Sequence, residues 1–408
     1  MVEQMFRRLE QLFPEMVDIR RLLHEQPELS FHEEKTPQMI ADYLERLGIE
    51  VRRGVGGRGV VGYIKGDKPG KTVALRADFD ALPIQEETNL PFSSKKPGVM
   101  HACGHDGHTA TLLVLAKVLV ELRTELKGTV VLIHQFAEEL APGGAIEMIK
   151  DGCLEGVDAI YGTHLWSPIP VGDIAYCSGP MMAASDRFDL TIQGRGGHGA
   201  SPHETVDSIT VGAAVVGQLQ HIVSRNVDPL KAAVVTVGSF HSGGAFNVIA
   251  DSATIVGTVR TFDPEVQDLI IARMEQITKG ICEAMNATYT LSYKKGYPAV
   301  VNDPSETEAL VISTKEFYNE EKIYEIDPVM GGEDFAYYLQ HVPGTFFFTG
   351  AGNVEKGITY PHHHPKFDFD EEAMLVAAKC LGKAAVDFLD RDVNKQKESM
   401  SQVSHNLK

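Results

Sequence analysis

The sequence lacks several features that would each indicate a particular class of protein. No apolar run approaches 18 residues, so we expect no membrane-spanning helix. The N-terminal stretch MVEQMFRRLEQLFPEMVDIRRLL alternates apolar and charged residues at helical spacing, without the apolar stretch and cleavage site of a signal peptide. Five cysteines, an odd number spread from Cys103 to Cys380, do not form the pattern of a disulfide framework. These absences favour a protein of the reducing cytoplasm.

Basic residues are scarce relative to acidic ones. The 38 Lys and Arg residues stand against 56 Asp and Glu residues, which gives a formal net charge of −18. This excess argues against nucleic acid or an anionic membrane as a partner. The chain also lacks a G-x-S-x-G motif, so an α/β hydrolase with a serine nucleophile is excluded.

The length and the order of the predicted elements indicate an α/β protein with more than one domain. A chain of 408 residues with 43% hydrophobic residues can bury a large core and suggests two or three domains. Strands alternate with helices in its first part, which is typical of a parallel sheet. We predict helices over 3–24, 33–47 and 108–123, and strands within 71–83, 129–139 and 158–166.

Polar side chains gather where these predicted strands end. The first strand ends around Asp78 and Asp80, the second at Glu138 and Glu139, and the third near His164. In open α/β sheets, functional residues collect beyond the carboxyl ends of the strands. The sequence therefore predicts one shared site.

The stretch MHACGHDGHTA (100–110) lies between two of these strand ends and is rich in metal-binding residue types. Cys103 and His105 sit one residue apart, and three more histidines lie in YPHHHPKFDFDE (360–371). Two divalent ions need about four to six side-chain ligands, and zinc accepts His, carboxylate and thiolate together. The alternatives are a polar loop that caps a helix and a solvated run of histidines.

The middle of the chain changes character. From about residue 185 the pattern reads strand, helix, two strands, helix, strand, which is the ferredoxin-like order. We predict an inserted domain over 185–294 and a discontinuous catalytic domain over 1–184 and 295–408. The α/β pattern resumes with GTFFFTG and a final helix over 370–389, followed by a polar end.

Seven motifs, in order along nearly the whole chain, resemble those of a known family. They are RADFDALP (76–83), MHACGHDGHTA (100–110), AEE (137–139), GTHLW (162–166), GGHGASPH (196–203), GGEDFAYY (331–338) and HHPKFDFDE (363–371). The chain resembles the dinuclear metal-dependent aminoacylase and carboxypeptidase family, in its hippurate hydrolase and auxin–amino-acid hydrolase branch. This resemblance implies a metallopeptidase-type α/β catalytic domain, with a mostly parallel sheet and helices on both faces. It also implies an inserted ferredoxin-like α+β dimerisation or lid domain.

The resemblance also implies a set of metal ligands. They are Cys103, His105, Glu139, His164 and His363. They would hold two divalent ions per subunit, which could be zinc, manganese, cobalt or nickel, with Cys103 as the bridging ligand. The sequence departs from the wider family at Arg76, where an H-x-D motif normally supplies a histidine ligand, so we expect His105 to compensate.

The remaining roles concern catalysis and the substrate. An unbound carboxylate next to a ligand can take a proton from a metal-bridging water and pass it to the leaving amine, and Glu138 fits this general-base role. The resemblance implies that His198 stabilises the oxyanion in the partner subunit's site. It further implies that Asn247 and Arg260 hold the substrate carboxylate, and that Gly332 contacts the substrate. Other histidines are interpreted as structural or solvent-facing; they are His24, His32, His134, His203, His221 and His241.

Together these observations predict a cytoplasmic amidohydrolase that cleaves N-acyl-L-amino acids of the N-acetyl or aroyl type. It would act on a small molecule as a homodimer, or as a tetramer, without nucleic acid or membrane. Two alternatives stay open, namely a dipeptidase or carboxypeptidase of the same family and a metal-dependent binding protein without catalysis. The carboxylate of Glu138 argues against the second.

Overall fold

The computed structural model describes residues 1–391, so the predicted polar end of the chain lies outside the described residues. The chain divides into two compact units. The first comprises Met1–Gly179, Val301–Asp327 and the residues from Tyr337 onward, and the second comprises Pro180–Val300 and Pro328–Ala336. The predicted domain scheme stays a prediction, because compactness alone does not show an inserted domain.

Helices occur in both units. They are α1 (Val2–Glu25), α2 (Lys35–Arg46), α3 (His105–Glu121), α4 (Ala145–Lys150), α5 (Ser208–Arg225), α6 (Pro264–Ala284), α7 (Pro304–Lys315), α8 (Ala336–Leu339) and α9 (Glu372–Asp390). Within residues 1–391, no helix is long and apolar enough to cross a membrane.

Strands likewise occur in both units. They are β1 (Glu50–Val55), β2 (Gly59–Lys65), β3 (Lys68–Asp78), β4 (Lys127–Gln135), β5 (Ala159–Pro170), β6 (Ile174–Tyr176), β7 (Gly179–Met182), β8 (Ala184–Gln193), β9 (Gly197–His198), β10 (Ala233–Ser242), β11 (Val248–Ile249), β12 (Ser252–Thr261), β13 (Thr288–Tyr297), β14 (Val300–Asn302), β15 (Ile323–Glu325) and β16 (Gly344–Gly352).

The first unit is built on an eight-stranded sheet in the order β1-β2-β4-β3-β5-β16-β6-β15. Strands β4, β3, β5 and β16 run parallel, and they form the centre of the sheet. Every residue of β16 is buried, as is typical of a parallel strand covered on both faces. Helices α3 and α9 pack against these strands. The predicted α/β class with a mostly parallel sheet is confirmed.

Two strands and one helix near the predicted site begin or end at residues other than the predicted ones. Strand β4 ends at Gln135 rather than at the glutamates, because Ala137 has a left-handed backbone (φ 53°) that leaves the ladder. Strand β5 continues to Pro170, because it keeps pairing with β16 beyond Trp166. Helix α3 begins at His105, directly after the left-handed Gly104.

A buried arginine ties α1 to the start of α3. Arg20 is 1% exposed and donates to Asp106 (3.0 Å), Asp368 (2.7 Å) and Glu371 (3.1 Å). Burial of a charge is costly unless its partners are in place, so these three carboxylates fix the guanidinium. Because Asp106 follows His105 in sequence, this contact also holds the first turn of α3.

The second unit contains a four-stranded antiparallel sheet in the order β10-β12-β8-β13, with α5 and α6. Residues of β8 alternate between buried and more exposed, so one face of the sheet packs on the helices. Helix α5 begins at Ser208, because Asp207 caps it by accepting the N–H of Ile209 (2.9 Å). A lid or dimerisation role for this unit stays a prediction.

Candidate metal centre

The carboxyl ends of β3, β4 and β5 bring the predicted site residues of the first unit together. Asp78 ends β3, Glu138 and Glu139 follow β4, and His164 lies in β5. Parallel neighbours end at the same edge of a sheet, so residues far apart in sequence become neighbours here. Helix α3 starts at this edge and adds His105.

All five predicted ligands place their ligand atoms in one cluster. Cys103, His105 and His164 form one group, and Cys103, Glu139 and His363 form a second. Within each group the ligand atoms lie within 4.8 Å of one another. The Cys103 Sγ is 3.4 Å from His164 Nε2, and Glu139 Oε2 is 3.3 Å from His363 Nε2. The two groups share Cys103.

Hydrogen bonds fix which ring nitrogen of two histidines faces the cluster. His105 Nδ1 lies 3.0 Å from the Asp80 carbonyl oxygen, and His164 Nδ1 lies 3.0 Å from the Leu165 carbonyl oxygen. A carbonyl only accepts, so both Nδ1 atoms carry the proton and donate it. Each Nε2 is therefore the ring nitrogen that is left to bind a metal ion, as in metal-ligating histidines whose other nitrogen donates a hydrogen bond.

Two ligand atoms in the cluster have unmet bonding capacity. His105 Nε2 and Glu139 Oε1 are buried and have no hydrogen-bond partner among residues 1–391. They lie 3.8 Å apart. A buried polar atom without a partner is costly, and a cation between these two atoms would satisfy both. The residues present therefore fit a divalent metal ion.

The pKa shifts of two side chains in the cluster also favour a bound cation. Burial lowers the pKa of His105, but the carboxylates of Asp78 and Asp80 outweigh it and raise that pKa to about 10. Burial raises the pKa of the Cys103 thiol well above its usual value, and Glu139 and Glu138 add to the effect. The buried negative charge thus exceeds what the side chains themselves neutralise, and a bound cation reverses both effects.

His108 belongs to the same motif but is already fully engaged. Its Nδ1 donates to Asp78 Oδ1 (2.6 Å), and its Nε2 accepts the N–H of Leu165 (2.9 Å). With both ring nitrogens in use, His108 holds β3 and β5 in register rather than offering a ligand atom. Arg76 donates to the other oxygen of Asp78 at 2.6 Å.

Sequence reasoning marked Asp80 only as a strand-end carboxylate and missed Ser30. Asp80 Oδ2 accepts the Ser30 hydroxyl (2.6 Å) and the backbone N–H of Glu139 (2.9 Å). Because Asp80 also holds His105, one carboxylate orients two of the predicted ligands. The position of Asp80 at the end of a strand could have suggested this orienting role. No pattern in the sequence around Ser30 indicates that it contacts Asp80.

The predicted substrate-contacting residues lie in the second unit, where the structure forms two pairs. His198 pairs with Val248 between β9 and β11, and the neighbouring Gly199 N–H donates to the Asn247 carbonyl (2.8 Å). A Cβ at Gly332 would come within 3.3 Å of Arg260 Nη1 and 2.8 Å of the Ser185 side chain. The closer contact is with Ser185, so a glycine at 332 lets this backbone lie against Ser185 and beside Arg260. The roles of these residues stay predictions.

An α/β sheet whose strand ends carry clustered His, Cys and carboxylate ligand atoms defines the class of metal-dependent hydrolases. Residues 74–387 match the profile of Peptidase family M20/M25/M40, and the chain belongs to this family.

Three known proteins illustrate this similarity. An N-acyl-L-amino acid amidohydrolase of Geobacillus stearothermophilus is 50% identical, over 74% of this chain and 81% of the relative. Thermostable carboxypeptidase 1 of Saccharolobus solfataricus is 42% identical, over 92% of this chain and 96% of the relative. The crystal structure of the YXEP protein of Bacillus subtilis, a dinuclear metal-binding peptidase of the M20 family, is 38% identical with a TM-score of 0.80. That match covers 93% of this chain and 99% of the other.

The contacts of Asp80 generate a prediction about metal affinity. Asp80→Asn keeps the size of the side chain but replaces one carboxylate oxygen by an NH2 group that cannot accept, so the side-chain contact with either His105 or Glu139 is lost. We expect Zn²⁺ affinity to fall about 10- to 100-fold, as for other groups that orient metal ligands. Competition with a chromophoric chelator measures the Kd. The exposed Asp67→Asn is the matched control, and a folded Asp80→Asn protein with the wild-type Kd would contradict the assignment.

Proposed function

We propose that the chain hydrolyses the amide bond of N-acyl-L-amino acids and releases a carboxylic acid and a free amino acid. The observation that carries this proposal is the cluster of five ligand-type side chains, three of them buried, with Glu138 beside it at the strand ends of an M20-family fold. The similarity to a named N-acyl-L-amino acid amidohydrolase supports the substrate class.

Two divalent ions would be held by the five clustered side chains. The group of Cys103, His105 and His164 supports one ion, and the group of Cys103, Glu139 and His363 supports the other. Cys103 belongs to both groups, which supports its place as the bridge. Thiolate, imidazole and carboxylate together suit zinc and also manganese, cobalt or nickel. When bound, such ions acidify water and polarise a carbonyl oxygen.

Glu138 is the group that would move the proton. Its carboxylate is 7% exposed and lies 3.9 Å from His105 Nε2, outside the two groups that share Cys103. As a general base it takes a proton from the attacking water while the carbon–oxygen bond forms. It then gives this proton to the leaving nitrogen as the carbon–nitrogen bond breaks, so that a neutral amine departs.

The second unit would bind the substrate. Arg260 and Asn247 are proposed to hold the carboxylate of the amino-acid part, since a guanidinium can donate two parallel hydrogen bonds to it. Gly332 would leave room beside Arg260. His198 is exposed, which suits a side chain that reaches the partner's site in a homodimer or tetramer and donates to the oxyanion. All five cysteines are free thiols, which supports a cytoplasmic location.

A dipeptidase or carboxypeptidase is the second candidate. The 42% identity to a protein named as a carboxypeptidase supports it. Both activities would use the same metal ions and the same general base. They differ only in whether the acyl part carries a free amine.

The substrate class is tested by product analysis. Purified protein loaded separately with Zn²⁺, Mn²⁺, Co²⁺ or Ni²⁺ is given N-acetyl and N-benzoyl L-amino acids, their D-enantiomers and dipeptides. We expect hydrolysis of the acyl L-amino acids to be fastest, with activity lost on chelation and restored by metal. Liquid chromatography with mass spectrometry quantifies both products. Faster cleavage of dipeptides would establish the second candidate instead.

Exchange of each glutamate separates the base from the ligand. Glu138→Gln keeps the metal ions but cannot accept a proton, so we expect kcat to fall by about 10²-fold or more. Glu139→Gln loses a charged ligand, so we expect weaker metal retention. Elemental analysis after dialysis and steady-state kinetics test this pair. Metal loss confined to Glu138→Gln would reverse the two roles.

Mixing of inactive variants tests whether His198 acts across a dimer. His198→Ala and Glu138→Gln homodimers should each be nearly inactive. Random exchange makes about half the dimers mixed, each with one intact site of two, so about a quarter of the wild-type activity should return. Native mass spectrometry establishes the mixing. Confirmed mixed dimers without recovered activity would rule out a role in trans.

A further inference from the structure

A backbone turn with unusual geometry presents Glu138. Ala137, the residue before it, is buried and has a left-handed backbone with φ 53°. Residues other than glycine adopt this conformation only where the surroundings enforce it. The Ala137 carbonyl accepts the N–H of Gly144 (3.2 Å), and its own N–H donates to Glu33 Oε1 (2.9 Å).

Glu33 comes from a segment 104 residues away and has no exposed surface. Buried carboxyl groups are uncommon unless they are paired or hydrogen-bonded. Its Oε2 has no hydrogen-bond partner within residues 1–391, and the Arg58 Nε lies 4.0 Å away. The hydrogen bond from the Ala137 N–H, at 2.9 Å, is much shorter than the contact of this carboxyl group with Arg58.

The same short segment also supports the other side of the turn. Ser30 donates to Asp80, and Asp80 accepts the N–H of Glu139. The residues before and after Glu138 are thus both anchored from the segment that contains Ser30 and Glu33. Glu139 is held through Asp80, which also holds the ligand His105, whereas Ala137 is held by Glu33 alone on its N–H side.

We propose that Glu33 is a positioning residue: its carboxyl oxygen holds Ala137 in the left-handed conformation and thereby aims the Glu138 carboxylate at the reacting water. This inference rests on the proposed general-base role of Glu138. Loss of the acceptor lets the turn relax and displaces the base, while Asp80 keeps Glu139 and His105 in place. The expected defect is therefore in turnover and not in metal retention.

Three substitutions separate the acceptor oxygen from the carboxyl group. Glu33→Leu removes the acceptor, Glu33→Asp keeps the carboxyl group but withdraws the oxygen by one methylene, and Glu33→Gln keeps an acceptor oxygen at the same reach. We expect kcat to fall about 10- to 100-fold in the Leu and Asp variants, as for a displaced catalytic group, with KM and metal content unchanged. Glu33→Gln should restore most of the lost kcat. Glu34→Ala, which removes an exposed carboxylate next door, is the matched control.

Two further readouts distinguish positioning from a general structural role. In the Glu138→Gln background, Glu33→Leu should change the residual rate by less than about twofold, because the group it acts through is already disabled. Hydrogen exchange at the Ala137 amide should accelerate in Glu33→Leu and Glu33→Asp but not in Glu34→Ala. If Glu33→Leu does not fold, the comparison of Asp with Gln carries the test.

A failure of the Glu33 proposal and a failure of the proposed function would give different results. Kinetics are measured on whichever acyl amino acid or dipeptide the wild type cleaves fastest, so a wrong substrate class shows in the wild type alone. Wild-type kcat in a folded Glu33→Leu or Glu33→Asp protein would overturn the proposal. So would equal fold-losses in the wild-type and Glu138→Gln backgrounds, or unchanged exchange at Ala137.

Discussion

The structure around the candidate metal centre depends on one constraint, the burial of four carboxylates around His105. Asp78 and Asp80 are almost completely inaccessible, and Glu138 and Glu139 are nearly so. Buried charge is tolerated only when it is paired or hydrogen-bonded. Arg76 and His108 satisfy Asp78, while a hydroxyl and a backbone N–H satisfy Asp80. Two buried atoms near these carboxylates, His105 Nε2 and Glu139 Oε1, have no hydrogen-bond partner among the described residues, and a bound cation would satisfy both.

Two residues at the cluster have a strained, left-handed backbone conformation. Ala137 and His363 both have positive φ although neither is glycine. Each is held by a hydrogen bond of its N–H, from Ala137 to Glu33 and from His363 to the carbonyl of Ala102, the residue before Cys103. Left-handed residues of this kind persist where surrounding contacts over-determine them, and they concentrate at functional sites. Side-chain placement at the centre is thus fixed by backbone anchors as much as by the sheet.

The sequence could predict those parts of this arrangement that depend on neighbouring residues, and it could not predict contacts between residues far apart along the chain. Apolar runs and helical periodicity are local, so the central parallel strands and their polar ends could be predicted. The same local signals could not separate His105 from His108, because the difference lies in a backbone N–H of β5. Nor could they assign Ser30 or Glu33, whose partners lie 50 and 104 residues away. Short strands such as β6 and β15 were also not predicted, since three residues carry too little pattern.

Three of the residues that would hold metal are more deeply buried than those that would contact substrate. Cys103, His105 and His164 are buried in the first unit, so their positions are set when that unit folds. His198 and Asn247 are exposed in the second unit, and Arg260 is only partly buried. Substitutions at exposed positions usually change stability by little, whereas core changes are costly. Under the proposed function, substrate preference would depend on exposed positions of the second unit, while the buried ligands and their backbone anchors would stay the same.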